Sequence, residues 1–277
     1  MPDDRRVIVD ENRRLVTEVK TLRERVAAFE TSRWWRLHPR FAWRRVKTRL
    51  QFGATPPRST EMHRLSNPST SDHPMTARFR EEVVRHGTFS EDWFTLHIPT
   101  WEPFLEDLDG RTVRILEIGS YEGLSACFFL WRLREADITC IDTFTGGADY
   151  VAYGIDVTDL EGRFDANVAL VDSSRIRKLK GDSRQLLMHL VDTEEASFDL
   201  VYVDGSHLAL DVIIDAALSW QLLRERGIVI FDDYGGAPGE VDPLRHVQPA
   251  VDAFLNLVVE HAEIPHRGRQ VIIRKTT

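Results

Sequence analysis

An α/β fold with a mostly parallel sheet is what the sequence predicts. Short apolar runs alternate with amphipathic helical stretches from about residue 76 onward, and several of these runs end in small or acidic residues. The 277 residues are 42% apolar and 29% charged, which suits one α/β domain of roughly 200 residues plus an appendage and excludes a wholly disordered chain. Candidate strands are Val113–Gly119, Ile138–Phe144, Ile176–Asp182, Phe198–Asp204, Gly227–Asp232 and Gln270–Lys275. Helices are expected over Leu124–Arg134, over Leu208–Arg224 with Leu210, Ile213, Ile214 and Ala217 as its apolar face, and over Gln248–Glu260 with Pro249 in its first turn. Such βαβ units cross over right-handedly, and their ligands bind beyond the carboxyl ends of the strands.

The appendage is N-terminal. Ile8, Leu15, Leu22 and Phe29 recur every seven residues, and Asn12, Val19 and Val26 fill the complementary positions, a three-heptad coiled-coil pattern. This predicts a self-associating helix and hence a homo-oligomer; a short amphipathic helix docked on the protein's own body is the alternative. Residues 31–60 then carry eight Lys/Arg and no acid, which leaves −16 for the remainder of a chain whose net charge is −8. Three of the seven tryptophans, Trp34, Trp35 and Trp43, lie among these cations. Contact of residues 31–50 with a membrane surface, with a partner or with the protein's own body fits that pattern. The Pro/Ser/Thr-rich stretch 51–75 reads as a linker, so the expected division is 1–50, 51–75 and an α/β domain at 76–277.

Several classes are excluded by composition. The acidic body argues against nucleic-acid binding. Cys127 and Cys140 are too few for a disulfide framework or a four-cysteine zinc site, and both sit in apolar segments, as buried reduced thiols of a cytoplasmic protein do. The first eleven residues lack an apolar core for export, and no stretch of about 18 residues is free of charge.

The chemistry concentrates at the strand ends. The first strand runs into Glu117-Ile118-Gly119-Ser120-Tyr121-Glu122-Gly123, a tight turn before a helix. It departs from the dinucleotide fingerprint, because Tyr121 and Leu124 occupy the second and third glycine positions. Asp142 ends the second strand about 20 residues on, where a carboxylate binds a ribose diol or caps a turn. Asp182 and Ser183 follow the third strand, as helix caps, ligand contacts or both. Asp204 and His207 follow the fourth, and the adjacent Asp232 and Asp233 follow the fifth. If those strands are neighbours, three carboxylates converge, which is costly without a cation or proton among them; hard oxygen donors suit Mg²⁺. Helix capping is the competing account of each aspartate.

In this order, Glu117-Ile118-Gly119-Ser120-x-x-Gly123, Asp142, Gly181-Asp182-Ser183, Asp204-Gly205-Ser206-His207 and Phe231-Asp232-Asp233-Tyr234 resemble class I S-adenosylmethionine (SAM) dependent methyltransferases. More narrowly, they resemble the metal-dependent sugar O-methyltransferases of the macrocin and mycinamicin type, over about Phe89 to Lys275. The resemblance implies a Rossmann-like fold with a mostly parallel seven-stranded sheet, and SAM and Mg²⁺ as cofactors. It also implies that Glu117, Gly119, Ser120, Tyr121 and Gly123 hold the methionine end of SAM, Asp142 its ribose, and Asp182 and Ser183 its adenine. Asp204, Asp232 and Asp233 match the metal ligands and His207 the general base. The metal position often held by Glu in relatives is Asp232 here, one methylene shorter.

The chemistry is consistent with that assignment. A sugar hydroxyl is a poor nucleophile, and a cation chelating two neighbouring hydroxyls with a histidine to take the proton answers that need. The expected acceptor is therefore a saccharide, in glycan or glycosylated-metabolite biosynthesis, with Tyr150 and Tyr153 in the long insertion as its weakest-founded contacts. Three alternatives remain: a catechol-type O-methyltransferase acting on a phenolic diol, a non-catalytic SAM-fold adaptor in glycan assembly, and a nicotinamide oxidoreductase, which Tyr121 and Leu124 in the turn disfavour.

Overall fold

The structure, a computed structural model, describes residues 73–277 apart from 148–149, 151–154, 195 and 237–245. The heptad segment, the Trp/Arg stretch and nearly all of the proposed linker lie outside the described residues, as does Tyr153. The elements in chain order are α1 (Pro74–Glu82), α2 (Ile98–Glu106), β1 (Val113–Ile118), α3 (Leu124–Arg132), β2 (Ala136–Asp142), α4 (Leu160–Val168) and β3 (Ile176–Lys180). They continue with α5 (Ser183–Thr193), β4 (Phe198–Val203), α6 (Ala209–Leu222), β5 (Leu223–Phe231), α7 (Val247–Val258), β6 (Ala262–Arg267) and β7 (Val271–Lys275).

The strands form one seven-stranded sheet in the order β3-β2-β1-β4-β5-β7-β6. The pairs from β3 through β5 are parallel, and β7 joins β5 antiparallel. The chain order reverses at β1, whose neighbours are β2 and β4, and a ligand crevice opens there beyond the carboxyl ends.

Both faces of the sheet are covered, so its strands read as near-continuous apolar runs. Ile115, Leu200, Tyr202, Ile228 and Ile230 pack with Phe79, Trp101, Phe128, Phe129 and Phe164 from α1 to α4. On the other face Leu116, Val201, Val203, Val229 and Phe231 pack with Leu187, Val212, Val251 and Phe254 from α5 to α7. Among the described residues no helix is long and apolar enough to cross a membrane.

Three elements differ from expectation. The apolar face predicted for α6 is displaced: it buries Val212, Asp215, Ala216, Ser219 and Leu222, while Leu210 is exposed. The helix is apolar nearly all round, so periodicity does not single out a face, and Asp215 goes inward to accept from Ser183 Oγ. Strand β5 begins at Leu223 rather than Gly227, with a register shift that pairs Phe198 with Leu223 and Leu200 with Ile228; Arg226 takes a left-handed conformation within the irregularity. Strand β6 had no sequence signal because it is an exposed edge strand, with Pro265 inside it at a break in pairing between Glu263 and His266.

Candidate active site

The glycine turn after β1 is folded by its neighbours. Gly119 adopts φ 86° and its N–H donates to Ile141 O at 2.9 Å, while Asp204 N donates to Ile118 O at 2.8 Å. Asp142 secures the turn: its Oδ2 accepts from the N–H groups of Ser120 (2.9 Å) and Tyr121 (2.8 Å), and its Oδ1 accepts from Phe144 N (2.7 Å). Capping and ligand binding, the two roles weighed for Asp142, are compatible, because a carboxylate has about four acceptor sites.

Tyr121 tolerates its place in the turn by taking φ 46°. Its ring stands with Trp93 and Tyr150, at centroid distances of 5.4 and 5.2 Å, and its hydroxyl lies 3.0 Å from Ser90 Oγ. Behind the turn Glu122 is fully buried and accepts from Ser90 N at 2.6 Å, Ser90 Oγ at 2.9 Å and Arg163 Nε at 2.6 Å. The stretch before α2 is thereby fastened to the turn.

Beyond it lies a cleft of about 230 Å³, lined by Gly119, Asp142, Tyr150, Asp182, Ser183, Asp204 and His207 among others. Glu117, Ser120, Tyr121 and Gly123 do not line it; they form the back and flank of the turn. Glu117 is fully buried, accepting from Ser125 Oγ and from Cys140 Sγ at 3.5 Å. Asp182 caps α5 by accepting from Gln185 N at 3.2 Å, and Ser183 Oγ donates to Asp215 Oδ1 at 2.9 Å. Asp215, also a lining residue, was missed from sequence; its only signal was a carboxylate, like Asp211, within a largely apolar helix.

Burial lifts the Glu117 carboxyl from 4.5 to about 7. The folded protein therefore holds this proton more tightly than the unfolded chain does. The stability it contributes is complete below about pH 4.5 and is lost as pH rises through about 7. Glu117→Gln carries no such loss. Urea midpoints measured from pH 5 to 8 are expected to show the variant gaining on the parent by about 3 kcal/mol at the upper end. A constant difference across that range would show that the burial cost is absent.

At the far side of the cleft, the ends of β4 and β5 are in register through Val203↔Phe231, which brings Asp204 beside Asp232. Alternation along β5 would send the next side chain to the opposite face, but Asp233 takes φ 52° and its carboxylate turns to His207, Oδ2 to Nε2 2.9 Å. One donor atom from each of Asp204, His207 and Asp233 lies within 4.8 Å of the other two. Asp232 faces two further groups. Its Oδ2 accepts from the Tyr202 hydroxyl, and its Oδ1 lies 3.9 Å from Nε2 of the buried His97.

Burial and then the charges of Asp232 and Asp233 push the Asp204 carboxyl well above its ordinary range. Burial would raise Asp233, but its contact with His207 together with the charges of His97 and Arg269 holds it below its usual value. A set of crowded carboxylates with one histidine fits a hard divalent cation, which would relieve the repulsion that raises Asp204.

Compared with known proteins, residues 116–234 match a family described as a methyltransferase domain. Over 186 residues, 62% of the chain, the sequence is 25% identical to mycinamicin VI 2''-O-methyltransferase of Micromonospora griseorubida. The match spans 41% of that enzyme's own length. Two crystal structures from the mycinamicin pathway share the fold. One, with Mg and S-adenosylhomocysteine (SAH), has TM-score 0.50 at 20% identity, covering 74% of this chain and 56% of that one. The other, with Mg, SAH and mycinamycin VI, has TM-score 0.52 at 18% identity, covering 74% and 54%. The strand order and the glycine turn with its acidic latch thus lie in a chain whose residues 116–234 match a methyltransferase domain and whose sequence is similar to an O-methyltransferase.

Proposed function

We propose that this protein is an O-methyltransferase that transfers the methyl group of SAM to a saccharide hydroxyl with the help of a divalent cation. The observation that carries the reading is that Asp204 and His207 line the cleft that also holds Gly119 and Asp142, with Asp233 clustered on them and Asp232 beside Asp204 at the end of the neighbouring strand. The similarity to an enzyme named for a sugar position of a macrolide supports the acceptor class.

In this reading the Gly119–Gly123 turn, with Glu117 behind it, receives the methionine end of SAM, Asp142 the ribose, and Asp182 and Ser183 the adenine. Asp204, Asp232 and Asp233 would hold Mg²⁺. When bound, SAM would supply an electrophilic methyl group and the cation positive charge that lowers the cost of ionising an acceptor hydroxyl. His207 takes the proton from the acceptor hydroxyl. Asp233, at 2.9 Å, fixes the ring and stabilises the imidazolium that results. Tyr150, on the wall of the cleft, and the ring of Trp93 at a centroid distance of 6.2 Å stand where an acceptor would enter. Residues 1–50 serve as a self-association and surface-contact module outside the catalytic domain, and the protein works in the cytoplasm.

The test is transfer of labelled methyl from SAM to a panel of mono- and oligosaccharides and one catechol, with Mg²⁺ or with EDTA. Label on a sugar, abolished by EDTA, is the expected result. Label on the catechol alone would replace the acceptor class, EDTA-insensitive transfer would remove the cation, and SAM binding with no transfer at all would favour a non-catalytic adaptor.

A further inference from the structure

Tyr202 is two residues before Asp204 on β4, so strand alternation puts both side chains on the same face. The β4–β5 register pairs Tyr202 with Ile230, two residues before Asp232. The phenol oxygen therefore arrives between the two carboxylates. It lies 2.9 Å from Asp204 Oδ2 and within hydrogen-bond contact of Asp232 Oδ2.

The ring has little room to move. Tyr202 is 1% exposed, stands edge-on to Trp101 at 4.8 Å and against Phe129 at 6.4 Å. Trp101 is itself tied by its indole N–H to Gln270 Oε1 at 2.6 Å.

A phenol has one proton to donate and two carboxylate oxygens in contact with it here. It donates to one at a time, and the other contact is oxygen against oxygen. This arrangement is costly with both carboxylates ionised, and a cation or a second proton shared between them relieves it. We propose that Tyr202 is a positioning residue, whose hydroxyl spaces Asp204 and Asp232 as a preformed ligand pair for the divalent cation. The inference rests on the cation reading given above. It assigns to a core tyrosine a part in the site that its apolar surroundings conceal.

Tyr202→Phe removes one oxygen and keeps the ring, so the packing with Trp101 and Phe129 is retained. The measurement is a Mn²⁺ titration of the full-length protein followed by the electron paramagnetic resonance of free Mn²⁺, with SAH affinity by calorimetry alongside. Tyr202→Phe is expected to bind Mn²⁺ about tenfold more weakly, about 1.4 kcal/mol, with SAH affinity unchanged. Because the hydroxyl acts through the carboxylates, its effect should shrink to less than about threefold in an Asp232→Asn background. Equal Mn²⁺ affinity of the parent and Tyr202→Phe, or fully additive losses in the double variant, overturns the proposal. Should Tyr202→Phe lose SAH binding, Tyr202→Met replaces it under the same criteria. A parent protein that binds SAH but no Mn²⁺ overturns the cation reading itself, an outcome distinct from the failure of Tyr202 alone.

Discussion

Asp204→Ala is expected to lower methyl transfer by about 10³-fold or more while SAH affinity stays within a few-fold. The carboxylate meets Tyr202, lines the cleft and belongs to the Asp204–His207–Asp233 cluster, so its loss removes a donor from the centre of the group. The turn that receives the cofactor depends on the Asp204 backbone instead, through its N–H to Ile118 O, and that bond survives the substitution. Stability provides a second readout. The Asp204 carboxyl is driven far up by burial and by its acidic neighbours, so deleting it relieves a strain of the folded state. The melting temperature should hold or rise as activity disappears. A fall in melting temperature together with lost SAH binding would mark Asp204 as a structural residue, whereas retained turnover would remove it from the reaction.

What could be read from the sequence follows from where the chemistry sits. Asp142, Asp204, His207, Asp232 and Asp233 were legible because polar groups at the ends of apolar strands have no packing reason to be there. The convergence of Asp204 and His207 with Asp232 and Asp233 needed only the assumption that β4 and β5 are neighbours, which the register confirms. Tyr202 was illegible for the converse reason. An aromatic inside a strand is explained by packing, and nothing short of coordinates shows that its hydroxyl emerges between two carboxylates. Asp215 was hidden by helical periodicity, since a 14-residue helix with apolar residues on most sides gives no unique inner face. His97 and the Ser90–Glu122–Arg163 network join segments separated by dozens of residues, and such contacts leave no local pattern. Tyr121 is the instructive intermediate case. Its departure from glycine was visible and argued against a dinucleotide, but its accommodation by a left-handed backbone conformation with the ring among Trp93 and Tyr150 is a tertiary fact.

Gly119→Ala is expected to be the most damaging single methyl group that can be added to the described cleft. A Cβ at this position would stand 1.9 Å from Asp204 O, 2.5 Å from Asp204 C and 2.6 Å from Gly205 Cα. All three are backbone atoms, so no side chain can swing away. The end of β4 would have to leave β1, taking with it the Asp204 N–H bond to Ile118 O and the placement of the Asp204 carboxylate. Left-handed strain at φ 86° adds to the clash. Together these should cost about 3 kcal/mol of stability in urea unfolding and weaken SAH binding by about 100-fold or more. Gly110→Ala separates the two contributions, because Gly110 has φ 68° but nothing within 4 Å of an added Cβ. It should lose only about 1 kcal/mol and bind SAH like the parent. Equal losses in the two variants would mean that backbone strain alone governs the turn. A large difference places the cost in the contact between the ends of β1 and β4, where the glycine turn meets the carboxylate cluster.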